Sequence, residues 1–208
     1  MDALALDPVL ARACGAAIAV VLLTGAWQKL RDLAVFEASV DLYRLLPEAL
    51  VPLFARAFPV LEAVAGVALL LDATRSVGLV LSVAVLGLAT AGVVANLLRG
   101  HTDIDCGCGG AGGHTTLSWA LPARNTLLMI LAVLGGQDGG SRDLMWIDYL
   151  TVAGGTLALF GLYATANQLM ANHPRLIQLS APKAGPSPAR PPRGARKLGA
   201  ALRFLERN

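Results

Sequence analysis

The sequence predicts an all-α integral membrane protein, an antiparallel four-helix bundle core with a fifth transmembrane helix. Two observations lead there. Hydrophobic residues fill 55% of 208 positions and charged residues only 15%, and mean hydropathy is +0.60, more apolar surface than a soluble domain of this length can hide. Apolar stretches near twenty residues then recur along the chain, at about 9–30, 51–71, 77–98, 117–136 and 147–170. At 1.5 Å per residue, a helix of that length crosses about 30 Å of hydrocarbon.

The first stretch, 9–30, carries Thr24-Gly25-Ala26, which imitates the small residues of a signal-peptide cleavage site. Asp2 and Asp7 precede it, with no basic residue before Arg12, the wrong sign for a signal n-region, so it is expected to remain as a span. Cys14, near its start, reads as a small buried apolar residue. Leu33 to Pro47 follows, with Leu33, Phe36, Val40 and Tyr43 at helical spacing and Glu37, Asp41 and Arg44 on other faces. It is too short and too charged to span, and reads as an interfacial helix ended by Pro47.

In the 77–98 stretch, Gly87, Ala91 and Ala95 make a small-residue stripe against which a neighbouring helix can close. The 117–136 stretch is weaker, because it contains Pro122 and Arg124, and four spans rather than five result if it does not cross. Trp146 and Tyr149 open the last stretch, where an aromatic belt belongs. Residues 1–172 therefore read as the transmembrane domain. Residues 173–208 read as a basic, Pro-rich tail, disordered by composition, whose final LGAALRFLERN has amphipathic character.

Charge is distributed unevenly. From Arg175 onward eight Lys or Arg face one acid, a net +7 in a chain whose total is +3, which leaves −4 for the remainder. Nucleic-acid binding is the obvious reading of such a tail and is rejected. Lys and Arg beside a final span follow the positive-inside rule, and they also hold a tail against anionic lipid.

Antiparallel neighbours bring the end of the first span, the start of the second, the end of the third and the start of the fourth to one membrane face. Lys29, Arg31, Glu62, Asn96, Arg99, the segment around Cys106 and Cys108, Arg124 and Asn125 gather there, with Cys14 towards the other face. A lone carboxylate inside a span costs several kcal/mol, so Glu62 must be protonated or paired, and Lys29 is its candidate partner. Helix packing and proton handling both remain open as the role of such a pair.

The glycine-rich run RGHTDIDCGCGGAGGH, Arg99 to His114, holds the cysteine pair. Two thiols one residue apart close a disulfide only if the backbone between them bends, and Gly107 permits the bend. The ring is too small to gain much loop-closure stabilisation, so the bond suits exchange better than bracing. Arg99 favours thiolate, whereas Asp103 and Asp105 oppose it. A metal site is the rival: His101, Cys106, Cys108 and His114 supply two imidazoles and two thiolates, although C-x-C is tighter than the usual zinc spacing. An inert structural loop is the third reading. The glycines are not a phosphate loop, because no Gly-Lys-Ser/Thr follows them.

The order GAWQKLRD, YRLLP, FPVLEAVAGVALLL, ANLLRG leading into DIDCGCGG, and ARNTLLMILAVL resembles the methylamine-utilisation MauE family, within the wider DoxX-like group of small membrane proteins. The resemblance covers about residues 9–136, and N-x-x-R-G…D-C-x-C-x-G, from Asn96 to Gly110, is its most specific part. Members usually carry an aromatic residue after the second cysteine, where this chain has Gly109. The resemblance implies a multi-pass protein of the bacterial plasma membrane, needed to mature the disulfide-containing small subunit of methylamine dehydrogenase. It also implies a thioredoxin-like redox protein as partner and Cys106 and Cys108 as the exchanging pair.

The bilayer is the one partner expected from composition itself. No cofactor is expected, and quinone use stays open. A membrane thiol–disulfide oxidoreductase, a non-catalytic scaffold for the thioredoxin-like partner, and a Cys/His metal-binding protein stand as the alternatives. Five spans with the basic tail inside put the cysteine pair on the cytoplasmic face. Four spans put it outside but leave a basic first loop against the charge rule. In a third arrangement the pair dips into the bundle.

Overall fold

A computed structural model describes residues 7–101, 117–137 and 145–180, with side chains up to residue 172. Contacts divide the chain into Met1–His173 and Pro174–Asn208; of the latter, only the final turns of one helix are described. Six helices, and no strand among the described residues, make up the fold: α1 Pro8–Arg31, α2 Leu33–Leu42, α3 Val51–Leu70, α4 Arg75–Leu98, α5 Ala120–Gly135 and α6 Trp146–Ser180. Within Pro8–Arg31, Glu48–Leu70, Asp72–Leu98 and Trp146–Asn172 lie helices long and apolar enough to cross a membrane. This is an all-α, multi-pass membrane protein.

Local chemistry sets the boundaries. Asp7 caps α1, its Oδ1 accepting from the Val9 N–H at 2.8 Å, and Pro8 loses no helical hydrogen bond at the first position. Lys29 and Arg31 occupy the last turn of α1, where the helix dipole favours cations. The tail of α4 is fixed by Gly100, whose φ of +77° lets the Gly100 N–H reach Leu97 O and the His101 N–H reach Asn96 O, both at 3.0 Å. That is the Schellman pattern, and it stops α4 just before the glycine-rich run.

The interfacial helix is shorter than its sequence pattern suggests. It ends at Leu42 rather than Pro47, because the chain turns through Tyr43 and Arg44, with Arg44 at φ +48°. The weak fourth stretch forms a helix of 16 residues, about 24 Å long. Pro122 falls in its first turn, where proline is tolerated. The expected disorder of the tail concerns residues outside the described set from Ala181 onward.

Packing runs in a ring: α1 lies on α3, α3 on α4, α4 on α5, and α5 back on α1, with α2 against α3. Ile18, Leu22, Ala65, Leu69, Leu86, Leu128 and Ala132 form the largest buried cluster, and Phe36, Ala55, Phe58 and Val85 a second. Outside this core lie Leu53, Val64, Val80 and Leu157, apolar and exposed, as a lipid-facing surface requires.

Helices close most tightly where glycine removes the side chain. A methyl on Gly135 would stand 2.4 Å from Gly15 N on α1, and one on Gly78 would stand 2.5 Å from Leu69 N on α3. Gly87, the first residue of the Gly87, Ala91, Ala95 stripe, is not such a place: a methyl there meets nothing within 4 Å among the described residues. Small residues permit close approach, but the volume around them decides where a partner comes.

Candidate functional site

Glu62 lies three turns into α3, 7% exposed, and Lys29 reaches it from the last turn of α1. The Lys29 ammonium donates to Glu62 Oε1 at 2.8 Å and Oε2 at 2.7 Å. Its charge also faces two rings, with Nζ 5.7 Å from the Phe36 centroid and 5.6 Å from that of Phe58. A buried carboxylate is thus met by a cation that is itself held by hydrogen bonds and ring faces.

A second polar cluster forms on α5. Arg124 donates through Nε at 3.2 Å and Nη2 at 3.0 Å to Asn125 Oδ1, and through Nη1 to Asn167 Oδ1 on α6. Its guanidinium lies 5.6 Å from the Tyr163 ring centroid. Asn125 in turn donates through Nδ2 to Thr90 Oγ1 on α4 at 3.1 Å. These bonds tie α4, α5 and α6 together with polar groups that pure hydrocarbon would leave unsatisfied.

Lys29, Glu62, Arg124 and Asn125, four of the sequence-predicted residues, line one cavity of about 530 Å³. The others are placed elsewhere. Asn96 is fully buried near the end of α4, where Nδ2 donates to Gly92 O at 3.1 Å and Oδ1 lies 3.4 Å from His101 Nδ1. Arg99 is exposed one residue past α4. Cys106, Gly107, Cys108, Asp105 and His114 lie outside the described residues. Of the metal alternative only His101 is described, and no group of three His, Cys, Asp or Glu suited to a metal occurs among the described residues. Cys14 is a free, buried cysteine on α1.

Sequence reasoning missed the ring faces of Phe36 and Phe58 and the α6 residues Tyr163 and Asn167. Asn167 did carry a signal, being an amide within the last apolar stretch, where a polar side chain needs a partner.

The family profile "Methylamine utilisation protein MauE" matches residues 7–137, a region that contains α1 to α5 and the whole cysteine segment. The chain belongs to the MauE family. It is 32% identical over 180 residues to the methylamine utilization protein MauE of Paracoccus versutus, covering 81% of this chain and 92% of that protein. With the MauE of Paracoccus denitrificans it shares 34% identity over 116 residues, 56% of this chain and 62% of the relative. With that of Methylorubrum extorquens it shares 35% over 130 residues, 62% and 70% of the two. No solved structure matches the chain. The family match stops where α6 has not yet begun, so the Arg124–Asn167 link joins a residue inside the matched region to one beyond it.

Proposed function

We propose that this protein works in methylamine utilisation, as the names of its relatives state of them, by supporting the redox maturation of a disulfide-containing client in the cell membrane. The observation that carries the reading is the family match over 7–137, which includes the Cys106-Gly107-Cys108 run. In this account α1, α3, α4 and α5 form an antiparallel four-helix bundle across the bilayer. Helix α6 is the fifth span, and the shorter α5 is accommodated by local thinning. Helix α4 ends in the Schellman turn at Gly100, six residues before Cys106 in sequence.

The exchange step is a thiol–disulfide interchange. A thiolate of Cys106 or Cys108 attacks a disulfide sulfur of the thioredoxin-like partner or client, forming a mixed disulfide. The second cysteine then attacks its neighbour's sulfur, which releases the partner's dithiol and leaves Cys106 and Cys108 joined. Reversal of the same two steps delivers the disulfide. No atom beyond the exchanged protons enters or leaves.

Replacing both cysteines, Cys106→Ser with Cys108→Ser, is expected to abolish client maturation in a complementation assay while the protein still accumulates in the membrane. Full complementation by the double variant assigns the protein to the scaffold class instead.

A further inference from the structure

One side of the cavity of about 530 Å³ is made by a segment with a backbone break at each end. Helix α2 and the turn after it contribute Phe36, Ser39, Val40, Tyr43, Leu45 and Leu46 to the wall. At one end Asp32 leaves the helical conformation, with φ −118° and ψ 53°, and gives α2 no side-chain cap. At the other, Arg44 turns the chain at φ +48°, the only positive φ of a residue other than glycine among the described residues. A side chain in that region is strained, and such an outlier persists only where its surroundings enforce it.

The two residues beside Arg44 supply that enforcement. A β-carbon built on Gly92, less than two turns before the end of α4, would stand 3.6 Å from ring carbons of Tyr43 and 3.8 Å from Leu45 Cδ1. Glycine leaves a notch in α4 that the ring and the leucine occupy together. Arg44, between them, takes the strain of bringing both to it.

The inner face of α2 is otherwise held by ring faces and apolar groups. Phe36 is buried, 6.1 Å from the Phe58 ring centroid and 5.7 Å from the Lys29 ammonium. Ser39, buried on the same face, turns its hydroxyl back to Val35 O of its own helix at 2.9 Å, so it does not tie α2 to the bundle. On the outer side Ala34, Val35, Ala38 and Leu42 are exposed. Lifting α2 therefore parts side chains on one face alone, leaves the Ser39 bond intact and relieves Arg44. Local opening is drawn from elements of this kind.

We propose that residues 33–46 are a lid, hinged at Asp32 and Arg44, that seats on Gly92 and opens the cavity to water at the end of the bundle where α1 and α4 finish. The proposal concerns access to the cavity, goes beyond the thiol reading, and stands or falls without it.

The test uses the full-length protein in phosphatidylcholine nanodiscs, with Cys14, Cys106 and Cys108 replaced by serine and Ala89→Cys as the single thiol, in the cavity wall. A charged methanethiosulfonate that does not enter lipid reaches this thiol only through water, and slow but complete modification is expected. Gly92→Leu, which fills the notch, and Tyr43→Ala, which empties it of the ring, are each expected to speed modification about tenfold, whereas Val80→Leu on the exposed side of α4 leaves the rate unchanged. A thiol at position 89 that is never modified, or that is modified at one rate in all four proteins, overturns the proposal. If the seat variants do not assemble, spin labels on Ala38→Cys and Leu98→Cys, both exposed, decide the matter with the seat intact. Two distance populations are expected, and a single narrow one overturns the proposal.

Discussion

Lys29→Met is expected to destabilise the protein by about 3 kcal/mol, because it leaves Glu62 buried without its cation. The carboxylate sits in α3 with only 9% of its side chain exposed, and both of its oxygens accept from the Lys29 ammonium. Methionine keeps the length of the side chain and its contact with Phe36 and Phe58, so the change isolates the charge. Glu62→Leu is expected to be harmful for the converse reason, as it strands the ammonium between two phenyl rings. The double variant Lys29→Met with Glu62→Leu is expected to recover most of the loss, since a buried pair contributes little over well-packed apolar residues. Thermal unfolding of all four proteins in detergent gives the cycle. Additive losses in the double variant contradict the pairing.

Gly135→Ala is expected to cost about as much, near 3 kcal/mol, by forcing α1 and α5 apart. Its new methyl would lie 2.4 Å from Gly15 N and 2.5 Å from Gly15 Cα, and backbone cannot move aside as a side chain can. The reciprocal change separates this from a general intolerance of substitution. A methyl on Gly15 has Gly135 O at 3.2 Å as its nearest neighbour, so Gly15→Ala is expected to cost less than about half as much. The same unfolding assay checks both, and equal effects would contradict the asymmetric crossing.

The course of the helices was largely legible in the sequence, and the residues that decided it are few. The stretches at 9–30 and 77–98 correspond to Pro8–Arg31 and Arg75–Leu98, because Asp7-Pro8 and Gly100 carry cap chemistry that fixes an end. The span at 147–170 lies within Trp146–Asn172, while the helix that carries it runs on to Ser180, because the charges after Asn172 that stop a hydropathy pattern do not stop a helix. Lys29 and Glu62 were legible as a pair because a carboxylate among apolar neighbours demands a cation at equal depth. Phe36, Phe58 and Tyr163 were not, since an aromatic ring looks alike in sequence whether it faces lipid, core or cation. The open space at Gly87 has a related reason: spacing records what a helix face permits, while contact depends on the rotation of its neighbour.

The account rests on Cys106 and Cys108 joining and parting reversibly at the potential of their surroundings. Mass-tag alkylation of the membrane-embedded protein, equilibrated across a graded series of thiol–disulfide buffers, measures this directly, with Cys14→Ser as background so that only the pair is counted. The expected result is a single reversible two-electron transition between dithiol and disulfide within the physiological range. A pair that holds one state across the whole series, in protein that remains folded, contradicts the account.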